Sequence, residues 1–221
     1  MWQAIGQLLP IAVAAAVSSV PITAMILVLL SPRRSESALP FLIGWVLGIA
    51  VVVSLCALGA RTIPTSRGHQ PDVALAIAEM LVGVALILVA VVSWRRARRQ
   101  ASTAMPRWLR TIGSLGGWAS FGVAFALNLR PKGVLLALAA GLVLRGADLS
   151  LTDAMLAIAV YTIVAASTLA VPIVMTLAAP QRMEGRLINV RDWMADHHAV
   201  VSSSVLVVIG VVAVGSGLAR L

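Results

Sequence analysis

The chain has 221 residues, 60% of them apolar and only 11% charged, and its mean hydropathy is +1.00. Soluble domains carry about 25% charged residues, and one of this length has too little interior to hide so much apolar surface. An ordinary cytosolic enzyme and a disordered chain are therefore excluded, and the single cysteine, Cys56, excludes a disulfide scaffold and dithiol exchange.

The chain reads as all-α, a polytopic membrane protein. A helix crosses the hydrocarbon core with roughly 20 apolar residues. Six segments qualify in chain order: Ile5–Leu30, Ala38–Ala60, Val73–Trp94, Gly116–Leu144, Ala154–Ala179 and Ala199–Leu218. Among all the charged residues, only Glu79, Arg130 and Lys132 fall inside them. A soluble bundle would place charges along every helix. No positive n-region precedes the first apolar run, since the first basic residue is Arg33, so no cleavable signal peptide is expected.

The net charge of +9 does not point to nucleic acid, because no basic stripe is interleaved with aromatics. It reads instead as a topology signal. Arg33, Arg34, Arg95, Arg96, Arg98, Arg99, Arg107, Arg110, Arg182, Arg186 and Arg191 fall on one side, against Arg61, Arg67, Arg145 and Arg220 on the other. The richer side is expected to be cytoplasmic, with both termini outside. Trp94 and Trp108 suit the inner interface and Trp2 the outer one. The run Arg95–Arg99 anchors the topology and suits anionic headgroups.

The two halves share an order of features. Segments 1 and 4 each carry a mid-span proline, Pro21 and Pro131, followed by an aliphatic run; segments 3 and 6 are glycine-punctuated. Three spans reverse polarity on repetition, so the expected architecture is six transmembrane helices as two inverted three-helix repeats. The chain is one transmembrane domain, 1–221, with repeat 1 over about 1–96, a cytoplasmic loop over about 95–115 and repeat 2 over about 116–221.

Lys132, Arg130 and Glu79 are the most informative positions. A charge near mid-bilayer costs about 2.5–3.5 kcal/mol on insertion scales. Two readings stay open: an ion pair locking helices together, or a polar site for an anionic group, since one acid cannot neutralise two bases. Pro131 removes a backbone donor and frees carbonyls near residue 127, to which Asn128 could bond; Ser18, Ser19 and Thr23 could do the same beside Pro21. Broken helices at mid-membrane expose N-termini that favour anions. Pro172 reads as an ordinary kink. Gly44 and Gly48 form a GxxxG, read as packing within the chain.

Asp192, Asp196, His197 and His198 fit no closed metal pattern. No nucleophile–base constellation and no phosphate loop is present, so neither an enzyme nor a cofactor is expected.

Three stretches resemble a known family: the Ser31-Pro32-Arg33 turn, the FLIGWVLG block from Phe41 to Gly48, and Asn128–Lys132 in NLRPKGVLLALAAGL. They look like the peptidoglycolipid-addressing family of mycobacteria and related actinobacteria, which includes the sulfolipid-1-addressing proteins and belongs to the LysE-like transporter superfamily. The family usually has Asn, Pro and Lys contiguous; here Leu129 and Arg130 intervene. The resemblance implies a plasma-membrane transporter or transport accessory for an envelope glycolipid or other anionic lipid. It also implies work alongside a resistance–nodulation–division type lipid transporter, and it is compatible with a homo-oligomer. A LysE-like exporter of a small solute and a non-transporting scaffold for a lipid-export complex are the alternatives.

Overall fold

The computed structural model describes residues 2–63, 73–99, 116–147 and 149–218; these are helices joined by short turns, with no strand among them. The helices are α1 (Trp2–Ala16), α2 (Ser19–Leu29), α3 (Arg34–Ala60), α4 (Val73–Arg99), α5 (Gly117–Leu127), α6 (Pro131–Gly146), α7 (Leu151–Ala178) and α8 (Pro180–Leu218). In lipid every backbone donor and acceptor must be satisfied within the chain, and long apolar helices do this.

By length and composition α3, the Val73–Arg95 part of α4, and α7 can each cross a membrane. The first and fourth predicted segments are not single helices. α1 and α2 meet at 52°, and α5 and α6 at 61°; counting each bent pair as one span gives up to five. The sixth predicted segment, Ala199–Leu218, is the end of α8. Its described apolar stretch, Leu206–Leu218, is shorter than a span. Many aliphatic side chains face outward, among them Leu55, Ile163 and Val174, as expected of a multi-pass membrane protein surrounded by lipid.

Prolines punctuate the helices in two ways. Pro10, Pro40 and Pro172 sit inside unbroken helices. Pro131 is the first residue of α6, where its missing N–H costs nothing. The residue before it, Arg130, is extended with ψ 151°, as a proline requires of its predecessor. Pro21 lies in the first turn of α2, behind Ser18 at φ −117°, ψ 112°.

α3 packs against α5, α6 and α7; α7 packs against α1, α2 and α3; α4 and α8 pair along their length. Small residues allow these approaches. A Cβ on Gly44 would run into the Phe121 carbonyl of α5, and one on Gly48 into Asn128, so the GxxxG is an internal seam. Gly141 of α6 brings its helix onto the Cys56 backbone of α3, where a Cβ would lie 2.9 Å from the Cys56 carbonyl. Gly83 and Gly210 do the same between α4 and α8. Phe41, Met25, Ile26, Leu169 and Ile173 fill the centre.

His69, Ser102, Arg107, Trp108 and Arg110 fall outside the described residues, as do the side chains of Asp192, Asp196, His197 and His198. Among the described residues no group of three His, Cys, Asp or Glu could hold a metal.

Candidate functional site

The two helix breaks meet in one cavity. It holds about 590 Å³ and is lined by Ser18, Ser19 and Pro21 from the first break and by Asn128, Arg130, Pro131 and Lys132 from the second. Its remaining wall is largely aliphatic, with Ile49 and Val52 from α3 and Leu88, Val89 and Val92 from α4. The cavity is thus polar and cationic at the breaks and oily opposite them.

At the first break, an unbroken helix would bond the N–H of residue 21 to the carbonyl of Val17. Pro21 has no N–H. Lys132 fills the vacancy: its Nζ donates to the Val17 carbonyl oxygen at 3.2 Å, across 115 residues of sequence. The ammonium lies at the C-terminal, partly negative end of α1, a favourable place for a cation. Thr23 Oγ1 donates to the Ser19 carbonyl at 2.8 Å. The serine and threonine hydroxyls beside Pro21 were the expected caps of the freed carbonyl, but that role falls to Lys132.

At the second break, Asn128 is buried and its Nδ2 donates to the Ala124 carbonyl at 3.1 Å and the Trp45 carbonyl at 3.4 Å. Asn128 therefore ties the end of α5 to α3, and its side chain bonds loosened backbone as expected, since its own N–H has turned to the Phe125 carbonyl and no longer reaches that of Ala124. Arg130 is the N-cap of α6 and faces the cavity.

The first turns of α2 and α6 both open here. Neither Ser18 nor Arg130 caps its helix through its side chain. Ser19, Val20, Lys132 and Gly133, whose N–H groups precede the first helical bonds, all line the cavity. Two helix N-termini, an ammonium and a guanidinium converge on one space, and this arrangement attracts an anion.

Of the residues expected to form the polar site, Ser18, Ser19, Pro21, Asn128, Arg130, Pro131 and Lys132 line the cavity and Glu79 does not. It is buried in α4, one turn from Leu75. Leu75 packs with Ala60 and Leu142, far along α6 from Lys132. Glu79 thus stands nine residues, about 14 Å of helix, from Leu88, where α4 begins to line the cavity.

Trp45 and Tyr161 were not anticipated. Both are buried and both line the cavity, and Trp45 Nε1 has no hydrogen-bond partner among the described residues. Trp45 carried a legible signal: a tryptophan in mid-span, between Gly44 and Gly48, is far from the interfaces where tryptophan usually sits.

Apolar helices, two bent helix pairs and a cationic cavity between the bends define a multi-pass helical membrane protein with a buried polar site. The family model of the sulfolipid-1-addressing protein, Sap, matches residues 8–219, and the chain belongs to that family. The resemblance carried by Ser31–Arg33, Phe41–Gly48 and Asn128–Lys132 is therefore correct. No curated protein and no solved structure matches the chain.

Proposed function

We propose that the protein is a transporter or transport accessory that exports an anionic cell-envelope glycolipid across the plasma membrane. The carrying observation is the cavity's two-sided chemistry: Lys132, Arg130 and two helix N-termini on one side, an aliphatic wall on the other. An anionic headgroup suits the first side and an acyl chain the second. At about 590 Å³ the cavity accepts a headgroup but not a whole glycolipid. The tails must then stay in the bilayer, and the headgroup must slide past the protein. The family's name, which refers to a sulfolipid, supports a lipid as cargo.

The architecture we infer is six spans in two inverted repeats, α1–α4 and α5–α8. In support, most of the helix contacts are exchanged when the halves are swapped, although α1–α8, α2–α3 and α7–α8 have no such counterpart. α3 packs on the bent pair of the second half and α7 on the bent pair of the first; α4 touches α6 and α8 touches α2; α3 meets α7 and α4 meets α8. In this reading the basic loops face the cytoplasm and both termini lie outside. The protein is not an enzyme, and it hands its lipid to a larger transporter of the resistance–nodulation–division class.

The cavity volume also suits a whole small solute, which favours a LysE-like small-solute exporter as the second reading. The deciding experiment compares envelope lipid profiles of a deletion strain complemented with wild type or with Lys132→Met at matched protein levels. Loss of one anionic lipid from the outer envelope supports lipid export. An unchanged lipid profile overturns it.

A further inference from the structure

The two helix breaks are enclosed to different degrees. At the first, Pro21 is buried, α8 packs on both α1 and α2, and Leu206 of α8, which lines the cavity, is 1% exposed. At the second, Arg130 and Pro131 are exposed, and α4 packs on α6 without a matching contact on α5. Leu88 and Val92 of α4 line the same cavity, yet they are 59% and 46% exposed. The cavity is therefore shut on the α8 side and has its mouth between α4 and the α5–α6 break.

The depth of this mouth follows from the helix registers. α4 and α6 run antiparallel, since Leu75 packs with Leu142 while Leu88 shares the cavity with Lys132. Leu88 is thirteen residues, about 20 Å, from Leu75, and Lys132 is ten residues, about 15 Å, from Leu142. Residues 88–93 thus stand beside the α5–α6 break. Trp94 and Arg95 follow at once and are exposed, and tryptophan and arginine at the end of a span mark the membrane interface. Leu88 lies six residues, about 9 Å, inside that level, and the hydrocarbon of one leaflet is about 15 Å deep. The mouth therefore faces the acyl chains of a single leaflet. In the orientation inferred above, that is the cytoplasmic leaflet.

A mouth set in hydrocarbon selects what can pass it. A hydrated small anion would have to shed its water against Leu88 and Val92, at high cost. A lipid of that leaflet needs no such step. Its chain can stay along α4 while its headgroup meets Arg130 at the rim and Lys132 behind it. The Arg130 side chain makes no hydrogen bond among the described residues, so its fork is available to an acidic oxygen.

We propose that an anionic lipid enters the cavity sideways, from the leaflet that Trp94 borders, with its headgroup passing Arg130 to reach Lys132 and its chain held against Leu88 and Val92. The direction of travel rests on the export reading above; occupancy of the mouth by a lipid rests on its geometry and charge alone.

Photolabelling of the full chain in phosphatidylcholine vesicles tests this. The probes are phosphatidylglycerol and, in parallel, phosphatidylcholine, each carrying a diazirine on its acyl chain, and labelled residues are read by mass spectrometry. The phosphatidylglycerol probe is expected to label residues 88–93 about tenfold more than the phosphatidylcholine probe. Both should label Leu81 alike, since it is exposed on the same helix away from the cavity. Arg130→Gln, a change at an exposed side chain, should reduce the preference, and Arg130→Gln with Lys132→Met should abolish it. Val92→Trp, which narrows the mouth, should lower lipid export at matched protein levels; Leu81→Trp should not. Equal labelling of residues 88–93 by the two probes overturns the side entrance, as does wild-type export by Val92→Trp; loss of the lipid from the deletion strain then leaves the export reading standing. An unchanged envelope in the deletion strain, with headgroup-dependent labelling of residues 88–93, overturns export alone and supports the mouth as a lipid site.

Discussion

Lys132 Nζ donates to the Val17 carbonyl that Pro21 leaves without its helical donor. One bond thereby joins the two breaks: the cation at the start of α6 closes the end of α1. The ammonium has three donors and this bond takes one, so the same group can hold the break and still meet a ligand.

Pro21→Ala tests this relation. Alanine restores an N–H that can reach the Val17 carbonyl, so the α1–α2 bend of 52° should relax and Lys132 should lose its partner. The protein should insert normally and unfold at an equal or higher temperature in detergent, while lipid export falls. Export at the wild-type level, with the bend removed, would show that the break is not needed.

Lys132→Met removes one hydrogen bond to a carbonyl within the membrane. Such bonds average about 0.6 kcal/mol in double-mutant cycles, so the loss of thermal stability should be small. The loss of export at matched protein levels should be large. Full export by this variant would move the weight to a scaffold that assembles an export complex without a cationic cavity.

Gly44 and Gly48 should separate stability from function. A methyl at Gly44 meets the Phe121 backbone, which cannot give, so Gly44→Ala should destabilise by about 1–3 kcal/mol in a detergent unfolding assay. A methyl at Gly48 meets the tip of the Asn128 side chain, which can swing away. Gly48→Ala should cost less stability but dislodge Asn128 from the Ala124 and Trp45 carbonyls beside the cavity. Its deficit should therefore be in export. The reverse order of the two effects would contradict the packing of α3 on α5.

Periodicity and composition located the spans of α3, α4 and α7, because an apolar run of sufficient length has few other uses. They also mark Pro21 and Pro131 and set Pro172 apart, but pattern alone does not say that Pro10 and Pro40 leave their helices unbroken. The difference at Pro21 is a donor 115 residues away. No local window contains that information. Trp45 and Tyr161 escaped notice because an aromatic in an apolar run looks like core until a cavity is found beside it. Charge alone makes Glu79 a partner of the cations. Its level along α4, beside Leu75, depends on how α4 and α6 are placed against each other.

Orientation can be read with single cysteines on a Cys56→Ala background. The asymmetry of arginines puts Gly146 outside and Gly185 inside. An impermeant thiol reagent should label Gly146→Cys in intact cells and Gly185→Cys only after lysis. Labelling of Gly185→Cys in intact cells would invert the topology.

Glu79 and Lys132 provide the last test. If they formed a buried ion pair, either single neutralisation would strand a charge in the membrane, and the double change would recover what each one lost. The ammonium of Lys132 instead rests on the Val17 carbonyl, and Glu79 lies off the cavity lining. Glu79→Gln and Lys132→Met should therefore combine additively in thermal unfolding, within about 0.5 kcal/mol. Their effects should also differ in kind: Glu79→Gln should alter the yield of folded protein, and Lys132→Met its export. Recovery of folded yield by the double variant would restore the ion pair and remove the separation of Glu79 from the site.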